Sequence, residues 1–126
     1  MNVLEDRRYL KSHEWHRMEG NVVTIGITQF AADELTDITY VELPEVGASL
    51  QAGSPFGEIE SVKATADLTV GVSGKVTEFN ERLADEPELI NNDAHGEGWM
   101  LRVEVSDSAD YDKLLSPEAY AKEIAG

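Results

Sequence analysis

One lysine stands apart from the other basic residues of this 126-residue chain. Lys63 is the only lysine or arginine between Arg17 and Lys75. Nine acidic residues share that stretch: Glu19, Asp33, Glu34, Asp37, Glu42, Glu45, Glu58, Glu60 and Asp67. A modifying enzyme can single out an isolated primary amine in an acidic region, and an acylated ε-nitrogen carries a group covalently. The alternative interpretation is a solvated surface lysine that chance has isolated.

The sequence around Lys63 predicts that this residue lies at the tip of a β-hairpin. Two strand-like runs, Phe56 to Val62 and Ala66 to Val70, flank it and are bounded by glycines. At such a tip the amine reaches solvent while the backbone is held in one geometry for a modifying enzyme. Gly47 precedes Lys63 by sixteen residues and Gly74 follows it by eleven, and both are expected at sharp turns.

The first half of the chain has the alternation of β structure. Tyr9 to Met18 and Val22 to Ile27 predict a hairpin, because Glu19-Gly20-Asn21 between them is typical of a turn. Thr28 is expected to cap one short helix, in which Phe30 and Leu35 share a face.

Two further strands are predicted from alternation, Ile38 to Leu43 and Trp99 to Val105. Pro44 ends the first of them, since proline cannot donate a hydrogen bond to a sheet. Alternation assigns two faces to that strand: Ile38, Tyr40 and Glu42 on one, and Thr39, Val41 and Leu43 on the other.

The C-terminal segment changes to helical spacing. Ser106 or Asp107 is expected to cap a helix with Tyr111, Leu114 and Leu115, and Ser116-Pro117-Glu118 is typical of the start of another. We therefore expect one domain, residues 1–126, that is mainly β. Its predicted fold is a flattened barrel-sandwich of short antiparallel strands, with one short helix inserted and C-terminal helices packed on it.

Composition argues against several classes of function. The net charge is −15, from 25 acidic and 10 basic residues, and such a surface repels nucleic acids and anionic membranes. The chain has no apolar run of membrane-spanning length, no secretion signal and no cysteine, so a cytoplasmic protein is expected. His13 and His16 lack further clustered ligands for a metal site. The sequence also shows no pairing of a nucleophile with a base, so an enzyme is not expected.

The glycines that bracket Lys63 resemble those of biotinyl and lipoyl domains. Over nearly the whole chain, and in the same order, the motifs resemble those of the glycine cleavage H-protein family. They are Ser12-His13-Glu14-Trp15, Gly26-Ile27-Thr28, Val41 to Gly47, Glu60-Ser61-Val62-Lys63-Ala64, Val72-Ser73-Gly74, Pro87 to Asn91, and Gly96-Glu97-Gly98-Trp99. Gly71 stands where that family often has proline, which is expected to loosen the strand after the lysine hairpin.

The resemblance implies a carrier with lipoate bound covalently to Lys63 and no catalytic cycle of its own. Such a carrier takes an aminomethyl group from glycine decarboxylase (the P protein) to aminomethyltransferase (the T protein). Dihydrolipoyl dehydrogenase (the L protein) then reoxidises it. Either a lipoate ligase or an octanoyltransferase would load Lys63, and a monomer is expected.

The resemblance also implies that the arm folds back onto the protein. A lipoyl-lysine arm reaches ~14 Å from the backbone. A surface groove can shield the loaded arm from water, and acidic or hydroxyl groups suit its cationic amine. We expect Ser12, Glu14 and Asp67 to supply those groups, the alternative being that both acids are solvated.

Two other carrier roles remain open on the sequence. One is a relay that receives octanoyl or lipoyl groups and supplies 2-oxoacid dehydrogenases. The other is a biotin carrier, which is disfavoured because Val62 and Ala64 flank the lysine where biotinyl sites have methionines.

Overall fold

A computed structural model of the protein describes residues 3–125. Within that range the chain forms nine strands and five helices. The strands are β1 (Arg8–Tyr9), β2 (Glu14–Glu19), β3 (Val22–Ile27), β4 (Ile38–Glu42), β5 (Ser49–Leu50), β6 (Pro55–Ser61), β7 (Thr65–Thr69), β8 (Gly74–Phe79) and β9 (Leu101–Glu104). The helices are α1 (Gln29–Leu35), α2 (Arg82–Asp85), α3 (Leu89–Asn92), α4 (Ala109–Asp112) and α5 (Pro117–Ala125).

The strands form two antiparallel sheets. A six-stranded sheet has the order β1-β2-β3-β9-β8-β5, and a three-stranded sheet has the order β4-β6-β7. The predicted first hairpin is confirmed, since β2 pairs with β3 from Glu14 opposite Ile27 to Glu19 opposite Val22. The hairpin around Lys63 is formed by β6 and β7, which pair from Pro55 opposite Thr69 to Glu60 opposite Thr65.

Apolar side chains from both sheets meet in one core. Ile25, Leu101 and Val103 of the larger sheet and Ile59 and Leu68 of the smaller one are almost fully buried in the same cluster. Burial of such side chains is the main driving force for folding.

A second cluster, Tyr9, Trp15 and Tyr120, attaches α5 to the larger sheet. The rings of Tyr9 and Tyr120 stack with centroids 4.5 Å apart. Packing of the C-terminal helix on the β body is thus confirmed. The start of this helix is also as expected, because Ser116 Oγ accepts a hydrogen bond from Ala119 N over 3.2 Å.

The faces predicted for the strand from residue 38 were wrong. The strand ends at Glu42, and its register against β6 shifts between Ile38 and Tyr40. This irregularity puts Ile38 and Val41 in the core and leaves Tyr40 half exposed. A bulge adds one residue to one strand and so reverses the alternation that the sequence analysis assumed.

The helices between β8 and the C-terminus also differ from expectation. The predicted helix after Asp107 is only the single turn α4, which ends before Leu114, and its N-cap is Ser108. Asp107 does receive a hydrogen bond from Ala109 N over 2.9 Å. Helices α2 and α3, of four residues each, were not predicted.

Gly74 lies within β8 and not at a turn, so that expectation was wrong, whereas Gly47 does occupy a turn with φ of 94°. A Cβ atom on Gly74 would lie 2.2 Å from the carbonyl oxygen of Glu104 on the paired strand β9. Glycine is needed here because two backbones approach closely.

None of the helices in residues 3–125 has the length and apolar character of a membrane span.

Candidate functional site

Lys63 lies in a tight turn that joins β6 to β7. Ser61 N donates a hydrogen bond to Ala64 O over 2.8 Å and closes the turn. The hydroxyl oxygen of Ser61 accepts hydrogen bonds from the backbone N–H groups of Lys63 (3.1 Å) and Ala64 (3.0 Å). Serine side chains often stabilise turns in this way. The backbone of Lys63 is thereby fixed while its side chain is exposed.

Two contacts attach this lysine turn (Ser61 to Ala64) to the segment around the end of α1. Val62 N donates to Asp37 O over 3.0 Å, although the Val62 side chain itself is 69% exposed. The ammonium of Lys63 donates to the carbonyl oxygen of Glu34 over 3.1 Å. The terminal nitrogen of Lys63 therefore lies directly over the last turn of α1.

A cavity of about 300 Å³ opens beside that helix. This volume is at the small end of the range for ligand sites. Apolar side chains from α1 and both sheets form most of its lining: Ile27, Phe30, Ala31, Leu35, Ile59, Ala66 and Leu68. Polar and charged residues complete it: Ser12, His13, Glu14, Glu34 and Asp67. We call it the arm cavity. Glu34 belongs both to its wall and to the contact with Lys63, so the lysine amine lies at its border.

Glu14 is buried, with only 1% of its surface exposed, so the alternative of a solvated acid was wrong for this residue. Its carboxylate accepts hydrogen bonds from Ser12 Oγ and, over 2.8 Å, from Thr69 N. Burial raises the pKa of Glu14, while these hydrogen bonds act in the opposite direction. None of the ion pairs within residues 3–125 includes Glu14. The arm cavity therefore contains a desolvated carboxylate that a cationic guest would stabilise.

The structure brings the other expected groups to the same cavity. Ser12 is exposed and reaches Glu14 through its hydroxyl. Asp67 is exposed on β7, where it pairs with Glu58 of β6. Ser12 lies in the turn before β2, Glu14 begins β2 in the larger sheet, and Asp67 lies on β7 in the smaller sheet, yet all three line the arm cavity.

Sequence analysis missed the apolar wall that α1 contributes. Phe30, Ala31, Glu34 and Leu35 all line the cavity from one side of this helix. Their spacing was used to predict a helix, and the same spacing places them on one face. That face could have been identified as half of a groove, but the other half, Ile59 and Leu68, gave no such signal.

His13 was also missed as a cavity residue. Its backbone has φ of 78°, and its Nδ1 lies 2.8 Å from the Tyr120 hydroxyl. The same hydroxyl lies 2.8 Å from Thr28 Oγ1, so α5, the Ser12 to Glu14 turn and the start of α1 meet at one oxygen. Burial lowers the pKa of His13.

A second histidine lies in the core with Gly71 as its partner. His16 Nε2 accepts a hydrogen bond of 3.0 Å from Gly71 N, and burial lowers the pKa of His16 to about 4. A proline at position 71 has no N–H to donate. The glycine that was expected to loosen this segment instead attaches it to β2.

An exposed lysine on a rigid hairpin turn, next to a cavity of acyl-chain size in a two-sheet β fold, defines a carrier of the biotinyl and lipoyl class. A model of the family described as glycine cleavage H-protein matches residues 7–126. The glycine cleavage system H protein of Rubrobacter xylanophilus is 55% identical over 122 residues, which are 97% of this chain and 94% of that protein. The one from Bacillus mycoides is 52% identical over 122 residues, 97% of this chain and 96% of that protein.

A solved structure has the same fold. The crystal structure of a glycine cleavage system H protein from Mycobacterium marinum superposes with a TM-score of 0.90 at 35% identity, covering 98% of this chain and all of that one. The chain belongs to the glycine cleavage H-protein family. It is a lipoyl carrier of the glycine cleavage system, and its two sheets form the barrel-sandwich that was predicted.

Proposed function

We propose that lipoate is attached to Lys63 and that its arm rests in the arm cavity between encounters with partner enzymes. The observation that carries this proposal is the contact of the Lys63 amine with Glu34, a residue of the cavity wall. An amide formed at this nitrogen keeps one N–H, which can still donate to the Glu34 carbonyl. The arm then starts at the border of the cavity and extends along α1.

The residues present fit a lipoyl group. Most of the residues that line the cavity are apolar, as an eight-carbon acyl chain with a dithiolane requires, and its volume of about 300 Å³ suits a small ligand. When bound, the lipoyl group supplies a disulfide that accepts the aminomethyl group and is afterwards reoxidised. The protein's own contribution is to hold the arm, to exclude water from it and to balance the positive charge of the aminomethyl group that it carries.

Glu14 and Asp67 are proposed to receive the cationic amine of that cargo. Glu14 is the stronger partner, because it is desolvated and has no ion-pair partner among residues 3–125, whereas Asp67 is exposed and its attraction is weakened by solvent. Ser12 holds the Glu14 carboxylate by a hydrogen bond and orients it. Thr69 N fixes the second oxygen of Glu14.

The partners implied by the family are the P, T and L proteins of glycine cleavage, which would share one tethered intermediate at high effective concentration. Further proposals are loading of Lys63 by a lipoate ligase or octanoyltransferase, a monomeric state, one domain spanning residues 1–126 and a cytoplasmic location. The alternative role as a lipoyl or octanoyl relay receives no support from the comparisons.

Intact mass measurement tests the attachment site. Protein expressed with lipoate in excess should show the mass increment of one lipoyl group, and Lys63→Arg should abolish it. Lys75→Arg, which removes an exposed lysine of β8, is the matched control and should keep the increment. An increment that survives Lys63→Arg would show that the site is elsewhere.

A further inference from the structure

The side chain of Asn91, a residue of α3, spans the turn between α1 and β4. Its Nδ2 donates a hydrogen bond of 2.6 Å to Thr36 O, and its Oδ1 accepts one of 2.9 Å from Ile38 N. A side-chain amide has a donor group and an acceptor oxygen, and here both have backbone partners.

The residue between those two partners touches the lysine turn. Asp37 O accepts the hydrogen bond from Val62 N, the residue immediately before Lys63. Asn91 thus holds the backbone on both sides of the carbonyl that anchors the lysine turn.

The same asparagine is connected to the start of α1. Gln29 Nε2 donates to Asn91 O over 2.8 Å, and Gln29 Oε1 accepts from Ala94 N over 3.3 Å. Helix α1 is therefore fastened near both ends to the segment from Asn91 to Ala94. This helix supplies one wall of the arm cavity and the carbonyl that receives Lys63 Nζ.

Helix α1 needs outside support at its C-terminal end. It has only seven residues, and isolated helices of that length are unstable in water. The chain leaves it through Thr36, whose φ of 62° is unfavourable for a side chain with a branched β-carbon. Two hydrogen bonds from one side chain hold this unfavourable turn in place.

We propose that Asn91 is a positioning residue for the attachment lysine, acting through the Thr36–Ile38 turn to fix both the lysine turn and the wall of the arm cavity. The effect on the turn depends only on the contacts above. The effect on the arm rests on the proposed function.

Hydrogen exchange on the full, unmodified chain tests the first part. Asn91→Ala should speed exchange of the Val62 and Ile38 amides roughly three- to tenfold, the effect of losing one or two net hydrogen bonds. Asn92→Ala is the matched control, since Asn92 is an exposed neighbour on the same helix, and should leave both amides unchanged. Asn91→Asp keeps the acceptor for Ile38 N but repels Thr36 O, and should give an intermediate rate at Val62.

The control variant Asn80→Ala distinguishes a general loss of stability from a loss of positioning at the lysine turn. Asn80 is buried and donates to Glu97 O and Trp99 O over 2.9 Å, so its loss destabilises the fold away from the lysine turn. At matched stability, exchange at Val62 should be faster in Asn91→Ala than in Asn80→Ala. Equal exchange in these two variants, or wild-type exchange in either folded Asn91 variant, would overturn the proposal.

The lipoylated chain tests the second part. Reduction of the dithiolane by a phosphine measures how far the arm is exposed, and it should be roughly threefold faster in Asn91→Ala than in Asn80→Ala. Equal rates would show that Asn91 positions the turn without affecting the arm. If Lys63 carries no lipoyl group, the proposed function fails, while hydrogen exchange still decides the role of Asn91.

Discussion

Two turns meet at the arm cavity and are built in opposite ways. The lysine turn exposes an amine and is held almost entirely by backbone groups and one serine hydroxyl. The other turn, Leu10 to Glu14, is closed by hydrogen bonds of 3.0 Å between the backbones of Leu10 and Glu14 and of His13 and Leu10, and it buries a carboxylate. Under the proposed function, the first turn presents the lipoyl group to other proteins, and the second binds the cationic cargo that the arm carries.

The two turns differ in how much the exposure or burial of their charged groups costs in folding stability. Exposing a lysine costs little, since its charge stays hydrated. Glu14 is buried with no ion-pair partner in the described part of the chain, which is unfavourable, and the surrounding structure must offset this cost. The cluster of Tyr9, Trp15 and Tyr120 beside this turn, with the buried His16 next to it on β2, supplies tight packing there. We expect perturbations at the Glu14 turn to change stability and those at the lysine turn to change modification.

Lowering the pH should produce the largest loss of folding stability, because of His16. Its pKa falls from the ordinary 6.5 to about 4 on folding, since burial disfavours the charged ring. The unfolded chain then binds more protons between these values, so this contribution to stability is complete above pH 6.5 and is lost as pH falls toward 4. The shift corresponds to about 3 kcal/mol. Denaturant unfolding at several pH values should show this decline.

His16→Gln supplies the comparison for the acid experiment. Its side-chain oxygen can accept the hydrogen bond from Gly71 N without titrating. The pH dependence of the unfolding free energy between 6.5 and 4 should become flatter in this variant. An unchanged slope would show that His16 is not the group responsible.

Removal of one hydroxyl should have the next largest effect. Tyr120→Phe keeps the ring stacked on Tyr9 but loses the contacts with His13 Nδ1 and Thr28 Oγ1. The unfolding free energy should fall by about 1 to 2 kcal/mol, the value of a buried hydroxyl with two partners. Tyr40→Phe, which changes a half-exposed tyrosine of β4, should change it by less than about 0.5 kcal/mol.

The smallest expected change in unfolding free energy has opposite signs at two residues with strained backbones. Thr36 and His13 both have positive φ, at 62° and 78°. Thr36→Gly should raise the unfolding free energy by about 1 kcal/mol, because strain is relieved and the threonine side chain is exposed. His13→Gly should lower it, because the ring packs on Phe30 and contacts the Tyr120 hydroxyl. The same sign in both variants would show that the contacts of the His13 ring do not offset the strain of its backbone.

The lysine turn was largely predictable from sequence because its determinants are local. An isolated Lys63, two flanking strand-like runs and a glycine pattern are sufficient to place it at a hairpin tip. Helix α5 was predictable for the same reason, since the three residues Ser116-Pro117-Glu118 indicate where it starts.

The Glu14 side of the site was not predictable in the same way. The burial of Glu14 depends on Thr69, which lies 55 residues away in the other sheet. The bulge in β4 and the single-turn helices α2 and α3 arise from tertiary contacts that leave no periodic pattern. Resemblance to a family pointed to Ser12, Glu14 and Asp67, and the structure adds the physical reason why Glu14 differs from Asp67.

The most direct test of this account is the hydrolysis half-life of the arm when it carries an aminomethyl group. Glu14→Gln keeps the size of the side chain and removes its charge, so the cationic cargo loses its buried partner. Its amide oxygen can still accept from Thr69 N, while its NH2 group can donate to Ser12 Oγ. The half-life should shorten roughly tenfold, as expected for one charge-assisted hydrogen bond. Glu45→Gln, which alters an exposed acid outside the cavity, should not change it. An unchanged half-life in Glu14→Gln would contradict the proposal that the arm is received in this cavity.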